Sequence, residues 1–281
     1  AGKALVEAES QGVPASDIGA IVVASMSADL ATPSIAAILQ RELRLPEVPA
    51  LDINAACSGF IYGLEVARSL AAVSGRRYAL VVGTEQLSRL LSMEDRSTAI
   101  LFGDGAGAAV IECTETAGNR EEAAPYVRLF GSRGSDVILA PGVYTGAYEA
   151  REETNAETVC IDHMLMDGKE VFMFACDIIP RIIGGLLEQS GETMEYIDHV
   201  VCHQANARII RHVYRAMHWP AEKFFMNMEK LGNTSAASIP TALYDMQQQG
   251  RLQRGERLIL AGFGGGLTWG GCILSYDAPT R

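Results

Sequence analysis

Basic residues are in deficit: 23 lysines and arginines stand against 34 aspartates and glutamates, a formal charge of −11 at pH 7. Meeting nucleic-acid phosphates needs a basic surface, so a general nucleic-acid binder is excluded, and an acidic protein partner would have to find a local basic patch. Uninterrupted apolar runs of bilayer length are missing as well, so no membrane span is expected. The opening residues AGKALVEAESQG lack the basic start, apolar stretch and small-residue cleavage site of a secretory signal. They read as the end of an amphipathic helix in a cytoplasmic protein. Paired cysteines are absent too. The six at 57, 113, 160, 176, 202 and 272 lie far apart, with no CxxC and no histidine at metal-ligand spacing, which points to reduced thiols and no bound metal. Charged residues are few, 20% against 48% hydrophobic, and over 281 residues that composition builds a large core rather than a disordered chain.

What is present is a repeat. Asp17–Ser25 follows a Gly-Val-Pro turn and is apolar and β-branched, the pattern of a buried parallel strand, and Tyr196–His203 has the same pattern. Each is followed by a helical stretch, 33–43 and 206–217, with apolar residues recurring at three and four. Next come Leu-Pro or Trp-Pro, a short extended run (Val48–Ile53 and Phe224–Asn227), and a small-residue helix start, AACSGF at 55–60 and GNTSAAS at 232–238. GRRYALVV from Gly75 then matches GERLILAG from Gly255, and GAGAAVI from Gly105 matches WGGCIL from Trp269. The spacing is nearly constant, since the interval from Ile18 to Ile197 differs by a single position from that between Arg77 and Arg257. Strand and helix alternate in both halves, which implies a duplicated, layered α/β fold with mostly parallel sheets. The halves span 1–111 and 168–281. The segment 112–167, richer in Glu, Gly and Thr and weakly periodic, reads as a connecting cap of loops and short strands.

Four features fall at equivalent junctions of the two halves. Cys57 follows a strand and opens an apolar helix over 58–73, near unsatisfied N–H groups and the positive end of the helix dipole, a position that favours thiolate. Taken alone, a cysteine there is as well explained as a small buried hydrophobe. His203 ends the matching strand of the second half, where α/β sheets commonly face a ligand. Asn233 suits a helix cap or turn equally. The run Gly264–Gly266 after Phe263 is either a tight turn or a place where backbone N–H groups approach a reacting carbonyl. A pseudo-twofold arrangement brings all four to one crevice. Glycines 103, 105 and 107 resemble a nucleotide loop, but no acidic residue follows at the required distance, and within a strand they more simply permit close packing.

The strings DINAACSGF, FGDGAGAAV, HQANARII, GNTSAASIP and GFGGGLTWG, in order along nearly the whole chain, are similar to those of the 3-oxoacyl-acyl-carrier-protein synthase III family, a branch of the thiolase superfamily. The resemblance implies a thiolase-like α-β-α-β-α fold, with Cys57 as acyl acceptor and His203 and Asn233 completing the catalytic set. It implies an oxyanion hole from the backbone N–H groups of Cys57 and Gly265, and Phe263 as a gate against water. Acyl-CoA contacts would come from Arg96, Phe172, Ala205, Asn206 and Arg208; Lys169 is left out because many relatives carry Asn there. No cofactor is implied, since acyl-CoA and malonyl-acyl carrier protein are substrates. The protein would be a homodimer in which Thr32 of the partner subunit floors the primer pocket, where many short-primer relatives have an aromatic, so primers longer than acetyl are expected to fit. Arg208, Arg211, His212 and Arg215 share a helix face. That stripe is either simply solvated or a patch for acidic acyl carrier protein through Arg208, Arg211 and Arg215. Family members begin with a further strand and helical segment that this sequence lacks, including an aromatic and an arginine that embrace the adenine end of CoA.

Three other readings compete. Other thiolase-superfamily condensing enzymes use two histidines, a second cysteine or a glutamate, which Asn233 within GNTS opposes. A papain-like cysteine hydrolase also uses Cys-His-Asn, but the apolar helix start and the duplication do not suit it. The third is an inactive acyl-binding fragment, suggested by the missing leading segment.

Overall fold

The computed structural model describes residues 1–113, 126–141, 147–149 and 158–277. In chain order the elements are α1 (Gly2–Ser10), β1 (Ile18–Ala24), α2 (Ile35–Glu42), β2 (Ala50–Ile53), α3 (Gly59–Val73), β3 (Tyr78–Glu85), α4 (Arg96–Ala99) and β4 (Gly105–Glu112). They continue with β5 (Val127–Ser132), β6 (Ile138–Leu139), β7 (Ala147–Glu149), β8 (Thr158–Cys160), β9 (Leu165–Met166) and α5 (Gly168–Ser190). The chain closes with β10 (His199–Cys202), α6 (Ala207–Ala216), α7 (Met228–Leu231), α8 (Ser238–Gln248), β11 (Arg257–Gly264) and β12 (Thr268–Ser275).

Two four-stranded sheets run in the orders β2-β1-β3-β4 and β10-β11-β12-β5. β1 is parallel to β2 and β3, and β10 to β11, while β4, β12 and β5 add antiparallel edges. A parallel bridge between Val200 and Phe224 puts the run after α6 where β2 stands in the first half. β5, inside the segment expected to be a connecting cap, completes the second sheet, and the short pairs β6–β9 and β7–β8 fill part of the rest. The ladders repeat as the sequence does. Val23 lies opposite Val82 in one sheet and Cys202 opposite Ala261 in the other, and the interval from Val23 to Cys202 is the same as that from Val82 to Ala261 and from Ile18 to Ile197.

Strand periodicity sorts side chains into layers. Val22 and Val81 face inward onto α3 and α8, where Phe60, Ile61, Leu64, Ile239 and Met246 meet Val201 and Leu260 of the second sheet. Ile21, Val23, Leu80 and Val82 face outward onto α1 and α2, and Val200, Cys202 and Ile259 onto α5 and α6. The order is therefore α-β-α-β-α, with α3 and α8 as a middle layer that packs between the two sheets. Helix starts are set by side-chain caps. Ser34 Oγ accepts from Ala37 N–H at 3.1 Å, and the Asp52 carboxylate accepts from Ile35 and Ala36 N–H at 2.7 and 2.9 Å, so α2 begins at Ile35 rather than at Pro33. The glycines in and before β4 are packing residues, as expected. A Cβ on Gly103 would sit 2.3 Å from Leu231 O, and one on Gly107 2.8 Å from Pro240 Cβ.

Candidate active site

Each half turns from strand to middle-layer helix through a strained elbow. Cys57 lies in the 3-10 turn Ala56–Ser58 between β2 and α3, and Ser235 opens the matching turn Ser235–Ala237 before α8. Ala56 has φ +45°, and Ser235, its counterpart in the second half, has φ +47°. Left-handed backbone at a non-glycine residue costs about 1–3 kcal/mol and persists only where its surroundings enforce it. The surroundings here are each other and the end of β11. A Cβ added at Gly264 would lie 2.6 Å from Cys57 N and 3.1 Å from Ser58 N, so only glycine lets that strand reach the elbow's amides.

A crevice of about 350 Å³ opens over the first elbow. Cys57, His203, Asn233, Phe263 and Gly265 all line it, so the residues singled out at equivalent junctions do converge. Met26, Leu87 and Phe102 supply apolar wall from the first half, and Ile138, Met164 and Met166 from the segment between the halves. Sequence reasoning did not single out these six. The arrangement is a largely apolar cleft with a few convergent polar groups, the usual form of a small-molecule site.

His203 follows β10, is 2% exposed, and is fixed by its N–H donating to Ala261 O at 2.7 Å. Burial holds its imidazole well below the usual range, at about 3, so it is neutral. The proton position follows from Ser238. Its Oγ accepts from Gln204 N–H at 3.3 Å and lies 2.7 Å from His203 Nδ1, the acceptor its own hydroxyl proton finds. Taking the Ser238 hydroxyl as the donor of that pair assigns Nδ1 as the accepting nitrogen and puts the N–H on Nε2. Asn233 is anchored at both backbone groups, to Leu101 O at 2.8 Å and from Gly103 N at 2.9 Å. Its Oδ1 accepts from Ser235 N–H at 2.9 Å, which leaves the amide NH₂ as the end free to donate. Two neutral donors thus line the crevice together with the thiol. Phe263, 2% exposed, sets its ring edge-to-face on His203 at 5.5 Å and on Phe174 at 6.2 Å. It is both a wall of the crevice and part of the core.

Two influences act on the partly buried Cys57. A helix start favours thiolate, and desolvation acts against it, pushing this thiol up to about 12. The Ser235 hydroxyl offsets part of the rise, and the nearby Glu85 charge adds to it. Glu85 ends β3, is 4% exposed, and has its own pKa raised by burial. Ser235, Ser238 and Glu85 are polar residues of the site that sequence reasoning missed, and Asn54 and Thr268, which line the crevice, were not singled out either. The two serines lie inside the GNTSAAS string that drew attention to Asn233, whereas nothing local distinguishes Glu85.

Most of the remaining expected residues lie outside the lining of the crevice. Ala205 lines it. Phe172 is exposed on α5, Arg96 is exposed at the first position of α4, and Asn206 caps α6 by accepting from Arg208 N–H at 2.9 Å. Arg208, Arg211, His212 and Arg215 are all exposed along α6, opposite its buried Ile209, Ile210 and Val213. Thr32 is exposed on the loop between β1 and α2 and does not line the crevice of its own chain.

Two family models match, 3-oxoacyl-[acyl-carrier-protein (ACP)] synthase III over residues 51–124 and the C-terminal part of the same enzyme over 187–276. The chain is 43% identical over 275 residues to the beta-ketoacyl-[acyl-carrier-protein] synthase III of Acholeplasma laidlawii, spanning 97% of this chain and 80% of that one. It is 40% identical over 271 residues to that of Clostridium botulinum, spanning 96% and 80%. Among solved structures, the synthase III from Pseudomonas aeruginosa superposes with a TM-score of 0.83 at 34% identity, over 99% of this chain and 82% of that one. The enzyme from Aquifex aeolicus gives 0.80 at 34%, over 96% and 80%. With two pseudo-symmetric halves, a cysteine on one elbow and a neutral histidine and an asparagine from the other half, the chain belongs to the 3-oxoacyl-[acyl-carrier-protein] synthase III family.

Proposed function

We propose that this protein starts fatty acid synthesis by decarboxylative condensation of an acyl-CoA primer with malonyl-acyl carrier protein, through an acyl group carried on Cys57. The observation that carries the reading is the convergence of one thiol with two neutral hydrogen-bond donors, His203 Nε2–H and the Asn233 amide, on one apolar crevice. Cys57 sulfur attacks the primer thioester, with the backbone N–H groups of Cys57 and Gly265 as oxyanion hole, and CoA leaves. Malonyl-acyl carrier protein then enters. Loss of carbon dioxide yields an enolate whose oxygen receives hydrogen bonds from His203 and Asn233, and its carbon attacks the acyl-Cys57 thioester. Decarboxylation makes the carbon nucleophile, so the histidine is needed as a donor and its neutral form suits the task. Phe263 keeps water from the acyl thioester. The CoA-facing set (Arg96, Phe172, Ala205, Asn206, Arg208), a homodimer with Thr32 at the partner's primer pocket, and a cytoplasmic location belong to the same proposal.

Intact mass after incubation with acyl-CoA tests it. The wild type gains one stable acyl group and Cys57→Ala gains none. Undiminished labelling of Cys57→Ala, or rapid hydrolysis of the adduct, overturns the reading. Carbon dioxide release from malonyl-acyl carrier protein should fall about a hundredfold or more with each of His203→Ala and Asn233→Ala.

A further inference from the structure

Asn233 can serve the chemistry only if its amide points into the crevice, and what aims it comes from the other half of the molecule. Its main chain is held by the residues after α4, through Leu101 O at 2.8 Å and Gly103 N–H at 2.9 Å. Its Oδ1 is held by Ser235 N–H at 2.9 Å, so the direction of the amide follows the placement of Ser235. That residue is the strained one, with φ +47°, and such backbone persists only where its surroundings enforce it. The end of β3 supplies the enforcement. A Cβ on Gly83 would lie 2.2 Å from Ala236 O, so the strand abuts the second elbow with no side chain between them. Two residues on, and on the same face of the strand, Glu85 reaches the elbow itself, its Oε1 accepting from the Ser235 hydroxyl at 3.1 Å. Met26 Sδ, a weaker acceptor, is 3.9 Å from that hydroxyl. The other carboxylate oxygen is anchored in the first half, just after β1. Oε2 accepts from Ser27 Oγ at 2.6 Å, Met26 N–H at 3.2 Å and Ser25 Oγ at 3.5 Å, and Ser27 Oγ in turn accepts from Gln86 N–H at 2.8 Å. Buried at 4% exposure, with one oxygen committed to each side, the carboxylate is a strut between the end of β1 and the elbow that carries Asn233.

We propose that Glu85 is a positioning residue for the condensation step, holding Ser235 and through it the Asn233 amide in place for the enolate oxygen; this rests on the role given to Asn233 above. Ser235 and Asn233 line the crevice, whereas Glu85 stands behind them and does not. The assignment concerns one half-reaction and not the other. Transfer of the primer to Cys57 uses the thiol and the backbone amides of Cys57 and Gly265, whereas the enolate oxygen left by loss of carbon dioxide depends on Asn233. A buried group that only stabilised the fold would depress both steps together. The first elbow is an internal comparison, built on the same turn without the strut. Asn54 Oδ1 accepts from Ala56 N–H at 3.1 Å as Asn233 Oδ1 does from Ser235, and Ala56 has the same left-handed backbone, φ +45°. Ala56 carries no hydroxyl, and the residue that matches Glu85 in the second half is Gly264. Asn54 is exposed, whereas Asn233, on the tethered elbow, is 7% exposed.

A double-mutant cycle read in two assays tests the strut. Carbon dioxide release from malonyl-acyl carrier protein, and acyl-Cys57 formation from acetyl-CoA by intact mass, are followed for wild type, Glu85→Gln, Ser235→Ala, Asn233→Ala, and each of the first two combined with Asn233→Ala. In Glu85→Gln, Met26 N–H can only donate, so the new carbonyl stays on its side and the NH₂ faces Ser235, whose hydroxyl loses its acceptor. Ser235→Ala removes the hydroxyl outright, in a backbone shape that alanine already adopts at Ala56. Loss of this one hydrogen bond should slow carbon dioxide release about tenfold in either variant. Asn233→Ala should lose about a hundredfold or more. Adding Glu85→Gln or Ser235→Ala to it should cost less than about a further threefold, because the amide they aim is gone. Acyl-Cys57 formation should stay within about threefold of wild type in Glu85→Gln, since Asn233 takes no part in it. Losses that multiply in the double mutants, wild-type carbon dioxide release from Glu85→Gln, or a Glu85→Gln variant that loses both activities alike would overturn the positioning role and leave the synthase reading intact. A wild type that neither forms the adduct nor releases carbon dioxide overturns both. Should a thermal melt show that Glu85→Gln does not fold, Ser235→Ala carries the cycle through the other end of the strut.

Discussion

Ser238→Ala removes a single oxygen that does two jobs, and their sizes are separable. The hydroxyl donates to His203 Nδ1 at 2.7 Å and accepts from the Gln204 amide at 3.3 Å. An intramolecular hydrogen bond of this kind is worth about 0.5–1.5 kcal/mol net, and a buried amide left unpaired costs about 1–3 kcal/mol. Both His203 and Gln204 are buried, so the stability loss should fall in that second range. The catalytic effect is smaller. Losing the bias toward the Nε2–H form by about 0.5–1.5 kcal/mol shifts the tautomer ratio about two- to thirteenfold, at about 1.36 kcal/mol per tenfold. Carbon dioxide release should therefore fall by about tenfold or less, against about a hundredfold or more when His203→Ala removes the donor itself. Labelled carbon dioxide release from malonyl-acyl carrier protein and a thermal melt, run on wild type, Ser238→Ala and His203→Ala, give both quantities. If Ser238→Ala loses as much as His203→Ala, or loses nothing in either measurement, Ser238 does not set the proton position on His203.

Acid stability offers a second check. The folded His203 titrates near 3 and the unfolded side chain near 6.5, so between those values the unfolded chain binds a proton that the folded chain refuses. Its contribution to stability is present above about pH 6.5 and lost as pH falls toward 3. His203→Gln should lose melting temperature between about pH 6.5 and 4.5 less steeply than wild type; parallel curves count against a buried neutral imidazole. Arg211→Glu with Arg215→Glu should raise the Michaelis constant for malonyl-acyl carrier protein, spare acyl-CoA labelling, and lose its effect in high salt. Unchanged carrier kinetics at low salt would dispose of that patch. Thr32→Phe should depress use of primers longer than acetyl while sparing acetyl-CoA, at about 0.8 kcal/mol per methylene no longer buried. Superimposable efficiency profiles across an acyl-CoA length series would show that Thr32 does not floor the pocket.

The duplication was legible because it is written in local patterns. The strand runs around Ile18 and Ile197, and the helix starts at AACSGF and GNTSAAS, recur at one spacing, and that spacing is the ladder register of the folded sheets. Cys57, His203 and Asn233 stood out through their places at equivalent junctions. Other parts of the site were hidden because their partners are remote in sequence. Glu85 meets Ser27 58 residues away and Ser235 150 away, and His203 meets Ser238 35 away, with no periodic signal joining them. Asp52, which caps α2 from β2, was hidden in the same way. The setting of the Cys57 thiol was hidden for a different reason. A helix start can be read in sequence, but the desolvation of the sulfur that acts against it cannot. Membership of the cap was likewise illegible for β5, whose place in the second sheet depends on pairing with β12, near the far end of the chain.

The repeating register has a consequence for how two similar halves came to do different things. The interval that carries Val82 onto Ala261 also carries Glu85 onto Gly264. In the second half, Gly264 withholds a side chain and so approaches the backbone of the Cys57 elbow closely. In the first half, Glu85 pushes a carboxylate against the amide of Ala236, the residue that occupies the place of Cys57. One elbow is thus met by a glutamate of the other half and its twin by a glycine. That single glycine-for-glutamate difference between duplicated strands sets the two elbows apart, and the one capped by a carboxylate presents Asn233 and Ser235 to the crevice.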